Sequence, residues 1–283
     1  MTAPTVLKTV AEVQAWTREL RASGKRLALV PTMGFLHDGH LSLMRAGRER
    51  ADVVATTIFV NPTQFGPKED LSTYPRDLTG DVTKCGAAGA SVVWAPPNDE
   101  VYPKGFQTTV EVGEVSKGLC GDRRPGHFKG VATVVAKLLA VFRPEVALFG
   151  EKDFQQLQVI KALNRDLNLG VEIVGMPTIR ETDGLAMSSR NAYLKGDERQ
   201  RALALSQGLF AAQALKRSGE RDAEKLKAAL RAPLDAAQIR VDYAEVVDAQ
   251  TLRPLVMLEP TVAARALVAG FLGTTRLIDN VAL

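Results

Sequence analysis

Leu27-Ala28-Leu29-Val30 runs into Pro31-Thr32-Met33-Gly34-Phe35-Leu36-His37-Asp38-Gly39-His40 and on into Leu41-Ser42-Leu43-Met44-Arg45. The apolar quartet reads as a buried strand, and the last five residues read as the start of a helix. His37 and His40 therefore stand at a strand-to-helix turn. The first turn of a helix exposes unpaired N–H groups and the positive end of the dipole, which makes it a ready site for phosphate. Residues three apart share a face of one helical turn, and Gly39 leaves room for a ribose or base to approach. A cationic imidazole is disfavoured at a helix N-terminus, so the resting histidines are expected to be neutral, and a bound triphosphate would reverse that preference. Alone, the motif fits equally a helix capped by Asp38 with two ordinary surface histidines. Zinc would need a third ligand nearby.

The pattern around this turn repeats. Apolar, β-branched runs at 27–30, 53–60, 91–94, 146–149 and 171–175 alternate with helical periodicity at 9–22, 39–51, 77–88, 128–141 and 154–167. Nearly continuous apolar strands separated by helices predict an α/β fold, a Rossmann-like doubly wound parallel sheet covered on both faces. Ligands of such sheets bind beyond the carboxyl ends of the strands, and the unusual polar clusters of this chain follow its strands. After Asn191 the texture changes. Residues 195–231 are charged and alanine-rich, a pair of surface helices. Strands at 239–247, 262–268 and 276–280 then predict a smaller α+β unit. The expected domains are 1–186, which would bind nucleotide and substrate, and 187–283, which would close over the nucleotide.

Bulk composition narrows the class. The 283 residues are 46% hydrophobic and 24% charged, enough for a sizeable core. A net charge of +4 without a run of basic residues suits an anionic small substrate as well as nucleic acid. Two cysteines are too few for a disulfide framework, and a reducing cytoplasm is the simpler home. The residues from Met1 to Trp16 include Glu12 and no long apolar block, so no signal peptide is expected. No apolar run of the ~18 residues that a membrane span needs is present.

Four further clusters carry chemistry. Asn61-Pro62-Thr63-Gln64 ends the second strand, and its two amides suit a substrate with hydroxyl and carboxylate groups, or simply an Asn-Pro turn. Arg123-Arg124-Pro125-Gly126-His127 precedes an apolar helix and fits a loop closing on an anion or a basic turn at a subunit contact. Gly150-Glu151-Lys152-Asp153-Phe154-Gln155-Gln156 is a second strand-to-helix turn; Lys152 can reach a phosphate, and Asp153 can cap the helix or hold ribose hydroxyls. Met187-Ser188-Ser189-Arg190 offers two hydroxyls and a guanidinium to an oxyanion, or serves as a polar linker.

Taken together, in this order, these clusters resemble the pantothenate synthetase (pantoate–β-alanine ligase) family along nearly the whole chain, within the wider group of nucleotidyl-transferring folds that carry a His-x-Gly-His signature. The resemblance implies an ATP-dependent ligase that joins (R)-pantoate to β-alanine through a pantoyl adenylate, releasing pyrophosphate and then AMP, with Mg2+ accompanying ATP. It also implies a cytoplasmic homodimer that supplies the coenzyme A pathway. By matching motif, Met33, Gly34, Phe35, Leu36, His37, Asp38, Gly39 and His40 would line the ATP site, with Gly150, Glu151, Lys152, Asp153, the backbone at Ile179, Met187, Ser188, Ser189 and Arg190. Asn61, Gln64 and Gln156 would face pantoate. His40 would be the proton donor with His37 beside it, and Lys152 and Arg190 would offset phosphate charge. Phe154 is a mild departure, since many relatives carry another aromatic there. No protein nucleophile is needed, because the substrate carboxylate attacks the α-phosphorus. An adenylyltransferase for a phosphorylated substrate would be expected to offer extra cations where this chain has Asn61, Gln64 and Gln156. A tRNA-charging enzyme would need a basic tRNA-binding domain that is not evident. A nucleotide-sensing module would not need the glutamines.

Overall fold

A computed structural model describes residues 3–67 and 69–283; Met1, Thr2 and Lys68 lie outside the described residues. Contacts divide the chain into two units. The first runs to Glu151 and resumes over Gln156–Pro177, and the second takes Lys152–Gln155 with Thr178–Leu283.

The first unit is built on six parallel strands: β1 (Thr5–Leu7), β2 (Leu27–Thr32), β3 (Val53–Ile58), β4 (Val92–Trp94), β5 (Val146–Gly150) and β6 (Glu172–Met176). Their order is β1-β4-β3-β2-β5-β6. The connecting helices are α1 (Val10–Ala22), α2 (Asp38–Arg48), α3 (Leu78–Ala88), the short α4 (Asn98–Val101) and α5 (Leu119–Arg123), then α6 (His127–Phe142) and α7 (Phe154–Asp166). The central strands are buried on both faces, as their unbroken apolar sequence demands. On one side Ala28, Val30, Met44, Val54, Cys85 and Leu148 form a single cluster. Trp94 and Phe142 meet edge-on at 5.8 Å. From β2 the chain winds outward through β3 to β4, then restarts on the other side of β2 with β5. The switch point thus lies between β2 and β5, whose pairing sets Ala28 opposite Val146. The two motif-bearing turns leave the carboxyl ends of these adjacent strands, where open α/β sheets bind ligands.

One strand was not legible. β1 has three residues, the first two exposed, and pairs only with β4 at the sheet edge. It is too short and too polar to show a period.

The second unit contains α8 (Glu198–Arg201), α9 (Leu203–Arg217), α10 (Ala223–Ala236) and an antiparallel sheet of β7 (Arg240–Asp248), β8 (Ala264–Leu272) and β9 (Thr275–Ala282). The helices expected at 195–231 are more than a surface pair. Leu226, Leu230 and Leu234 form a stripe with helical spacing and pack with Leu205, Leu209, Val246 and Val268 into this unit's core. β8 continues past 268 because Gly270, Phe271 and Leu272 keep pairing with β9.

Contacts change allegiance at Pro177/Thr178 rather than after Ala186. Arg180 forks onto Asp279 of β9 at 2.6 and 2.9 Å, Arg180 and Ala186 form an antiparallel bridge, and Leu185 is buried in the second core. These ties assign 178–186 to the second unit.

Cys85 and Cys120 are both buried. Burial, helped by the Asp81 carboxylate, pushes the Cys85 thiol up to about 12, so it is no nucleophile. Among the described residues no helix is long and apolar enough to cross a membrane.

Candidate active site

Two successive left-handed residues, Gly34 at φ +83° and Phe35 at φ +51°, turn the chain from β2 into α2. A Cβ on Gly34 would meet Asp81 Oδ2 and the Ile58 side chain at 3.0 Å, so conformation and space both call for glycine. Phe35 has no such freedom, and Asp81 holds it there. This carboxylate on α3 is 1% exposed and accepts the Phe35 N–H at 2.7 Å and the Leu36 N–H at 2.8 Å. Lys84 Nζ donates to the Leu36 carbonyl at 2.9 Å. Sequence reasoning missed Asp81. Its only signal was an acidic residue one turn before Cys85 on the buried side of α3.

The cap of α2 is His37, not Asp38. The Gly39 N–H donates to His37 Nδ1 at 3.2 Å, and the His37 N–H donates to His40 Nδ1 at 3.3 Å. The rings lie 4.1 Å apart with their planes inclined at 44°. Because both Nδ1 atoms accept, each neutral ring carries its proton on Nε2. The turn therefore provides two neighbouring Nε2–H donors at the positive end of a helix.

Asn61 and Gln64 are buried at the short turn Pro62–Gln64. Asn61 Nδ2 donates to Gln64 Oε1 at 3.1 Å and to the Gly130 carbonyl at 3.2 Å, and its Oδ1 accepts from the Tyr102 hydroxyl at 2.8 Å. Burial pushes the Tyr102 phenol above its ordinary value, so it remains a donor. Gln64 Nε2 reaches Met33 Sδ at 3.1 Å, which ties the amide turn directly to the histidine turn. Gln156 is half-buried in the first turn of α7, beside the buried Gln155. Arg124 is committed to Glu69 through two bonds of 2.7 and 2.6 Å.

The remaining expected residues belong to the second unit, apart from Gly150 and Glu151 at the end of β5. Lys152 is held through its backbone: its carbonyl accepts from Asn280 Nδ2 at 2.9 Å. Asn280 Oδ1 in turn accepts from Arg265 at 2.7 Å, and the Arg265 guanidinium lies 3.8 Å over the Phe154 ring. Lys152 Nζ and the Asp153 carboxylate are 3.9 Å apart. The segment from Ile179 to Met187 folds back on itself, with the Met187 N–H donating to the Ile179 carbonyl at 3.0 Å. Ser188 then caps the turn Ser189–Tyr193 by accepting the Arg190 N–H at 3.2 Å. Asn191 and Arg199 both bond Glu181, which braces this turn against the preceding loop. Asp279, Asn280 and Arg265 were not foreseen, because their partners lie far away in sequence.

The sequence matches the family model of pantoate-beta-alanine ligase over residues 5–282. The chain belongs to the pantoate–β-alanine ligase family. Among its relatives is the pantothenate synthetase of Myxococcus xanthus (strain DK1622), 70% identical over 282 residues that cover 99% of this chain and 97% of that protein. A crystal structure of pantothenate synthetase from Thermus thermophilus superposes with a TM-score of 0.92 at 43% identity, covering 98% of both chains. The pantoate–β-alanine ligase of Francisella tularensis, solved with β-γ ATP and β-alanine, superposes with a TM-score of 0.81 at 31% identity over 99% of this chain and 98% of that one. The six-stranded parallel sheet and the small antiparallel sheet are thus the architecture of this ligase family.

Proposed function

We propose that this chain condenses (R)-pantoate with β-alanine in two steps. The pantoate carboxylate attacks the α-phosphorus of ATP, forming the acyl-phosphate bond as the bond to pyrophosphate breaks. The β-alanine amine then attacks the acyl carbon, forming the amide as AMP leaves. The observation that carries this reading is the Met33–Gln64 contact, which joins a carboxylate-compatible amide turn to a pair of Nε2–H donors.

The roles follow from the donors each residue offers. Met33, Gly34, Phe35, Leu36, Asp38 and Gly39 form the turn that meets ATP. His37 and His40 donate Nε2–H hydrogen bonds to phosphate oxygens, and the bond from His40 stabilises charge on the departing pyrophosphate. Asn61 orients Gln64, and Gln64 and Gln156 hold pantoate. Gly150, Glu151, Asp153 and the Ile179 backbone hold the nucleoside, while Lys152, Met187, Ser188, Ser189 and Arg190 take the phosphates. Such a site works by alignment and charge: oriented reactants supply effective molarities of about 10⁵–10⁸ M. Among the described residues no group of three or more His, Cys, Asp or Glu side chains forms a metal cage. The resemblance implies that Mg2+ accompanies ATP, where it would offset phosphate charge beside Lys152 and Arg190. The family resemblance supports a homodimer working in the cytoplasm.

With pantoate alone, the enzyme is expected to exchange labelled pyrophosphate into ATP, and AMP is expected only after β-alanine is added. A strict requirement for β-alanine in the exchange would refute the two-step order. Gln64→Glu sets a like charge against the pantoate carboxylate. Its KM for pantoate is expected to rise roughly 10–100-fold, the scale of a close like-charge pair in a partly buried site, with little change for ATP. Equal weakening of both substrates would remove Gln64 from the pantoate site.

A further inference from the structure

The third histidine belongs to neither catalytic turn, yet it touches one of them. His127 opens α6 and is buried, its ring 4.9 Å from that of Phe128. Its Nε2 lies 2.9 Å from Arg124 Nη1, and its Nδ1 lies 2.9 Å from the Gln64 carbonyl. A guanidinium can only donate and a carbonyl can only accept. Nε2 is therefore bare and Nδ1 carries the proton, the opposite tautomer to that of His37 and His40. Arg124 is fixed in turn by Glu69. Burial raises the Glu69 carboxyl, but the hydrogen bonds and charge of Arg124 outweigh it and hold it below its ordinary value, so the pair stays ionised. Arg124 Nη2 also points at the Gln64 carbonyl, at 3.4 Å.

The same face of α6 holds the rest of the turn. The Gly130 carbonyl accepts from Asn61, and a Cβ at Gly130 would collide with the Thr63 carbonyl. The turn Pro62–Gln64 is therefore flush against the first turn of α6, and its last carbonyl is fixed by His127.

We infer that His127, held in its Nδ1–H form by Arg124 and Glu69, is a positioning residue for pantoate: through the Gln64 carbonyl it sets the turn that presents the Gln64 amide. This rests on the reading of Gln64 as a pantoate ligand. Asparagine places an amide nitrogen near the position of Nδ1, whereas glutamine places its amide near Nε2. His127→Asn keeps a donor for the Gln64 carbonyl, while His127→Gln meets Arg124 and loses that donor.

The test combines kinetics with nitrogen NMR of the whole enzyme. In histidine-labelled protein, which has three histidines, one Nδ1–H ring is expected beside two Nε2–H rings, and the odd one disappears in His127→Asn. His127→Gln is expected to raise the KM for pantoate about 10-fold, the scale of one lost hydrogen bond, with kcat and the KM for ATP within about 3-fold of wild type. His127→Asn is expected to recover the pantoate KM to within about 3-fold. Unperturbed His37 and His40 signals in both variants show that the neighbouring turn is intact. An Nε2–H tautomer at His127, or equal pantoate KM values in the two variants, overturns the proposal. If Gln64→Glu raises the pantoate KM while His127→Gln does not, this proposal alone falls. If Gln64→Glu leaves it unmoved, the reading of Gln64 falls and this proposal falls with it.

Discussion

Replacing His40 by alanine is expected to lower pantoate-dependent pyrophosphate exchange by about 10²–10³-fold, the usual cost of removing one preorganised donor to developing charge. The size follows from what the residue offers and what cannot replace it. His40 Nδ1 accepts the His37 N–H, so the ring is oriented with its proton on Nε2, from which it would donate to a leaving phosphate. His37 is locked separately through the Gly39 N–H. It can continue to bind a phosphate oxygen, but it cannot move to the position of its neighbour. The fold should tolerate the change. His40 is half-buried, and its loss removes one backbone-to-ring bond at the helix start, worth about 1 kcal/mol. A melting temperature near that of the parent with exchange down by orders of magnitude would assign the loss to chemistry. Undiminished exchange would remove His40 from the mechanism.

How much of this was legible in sequence depends on how far apart the partners are. The turn after β2 could be read because strand, glycine, cap and helix follow one another within about twenty residues, and local geometry constrains all of them. Even there one detail was hidden: the sequence offered Asp38 as the cap of α2, and the backbone path gives that place to His37. The parallel sense of β2 to β6 followed from apolar runs separated by helices, whereas their order in the sheet came only from the structure and β1 is too short to carry a period. What the sequence concealed are the partners that hold the site. Asp81 reaches back across more than forty residues to Phe35 and Leu36, and Arg124 reaches Glu69 across 55. Nothing in the local pattern of Arg123 to His127 says that its cation is already spent on a carboxylate and its histidine on a carbonyl. The change of allegiance at Thr178 was concealed for the same reason, since Arg180 finds Asp279 99 residues later.

That last pair carries the other large effect. Arg180→Met is expected to destabilise the second unit by roughly 3–5 kcal/mol near neutral pH, because it strands a buried carboxylate. The Asp279 side chain is 2% exposed and that of Arg180 19%. Replacement by methionine keeps an apolar stem against Phe210, over which the guanidinium lies at 5.0 Å, so packing loss is small and the charge term dominates. The pH dependence has a definite sign. Burial already raises the Asp279 carboxyl above its ordinary value, against the lowering by Arg180. Removing Arg180 raises it further. A carboxyl whose folded pKa exceeds its unfolded one weakens the fold wherever the unfolded chain ionises, and this cost disappears once both states are protonated. The deficit of Arg180→Met should therefore be greatest at neutral pH and above, and shrink on acidification towards about pH 4, the ordinary aspartate range. Denaturant unfolding at several pH values measures it, and a deficit independent of pH would show that the stranded charge is not its cause. The double variant Arg180→Met/Asp279→Leu removes both charges and should recover most of the loss, as buried pairs replaced by apolar groups generally do. The single variant should also weaken ATP binding. Asp279 accepts the Asn280 N–H at 2.7 Å, and Asn280 holds the Lys152 carbonyl, so a carboxyl forced to protonate or move loosens the strand that fixes the lysine turn.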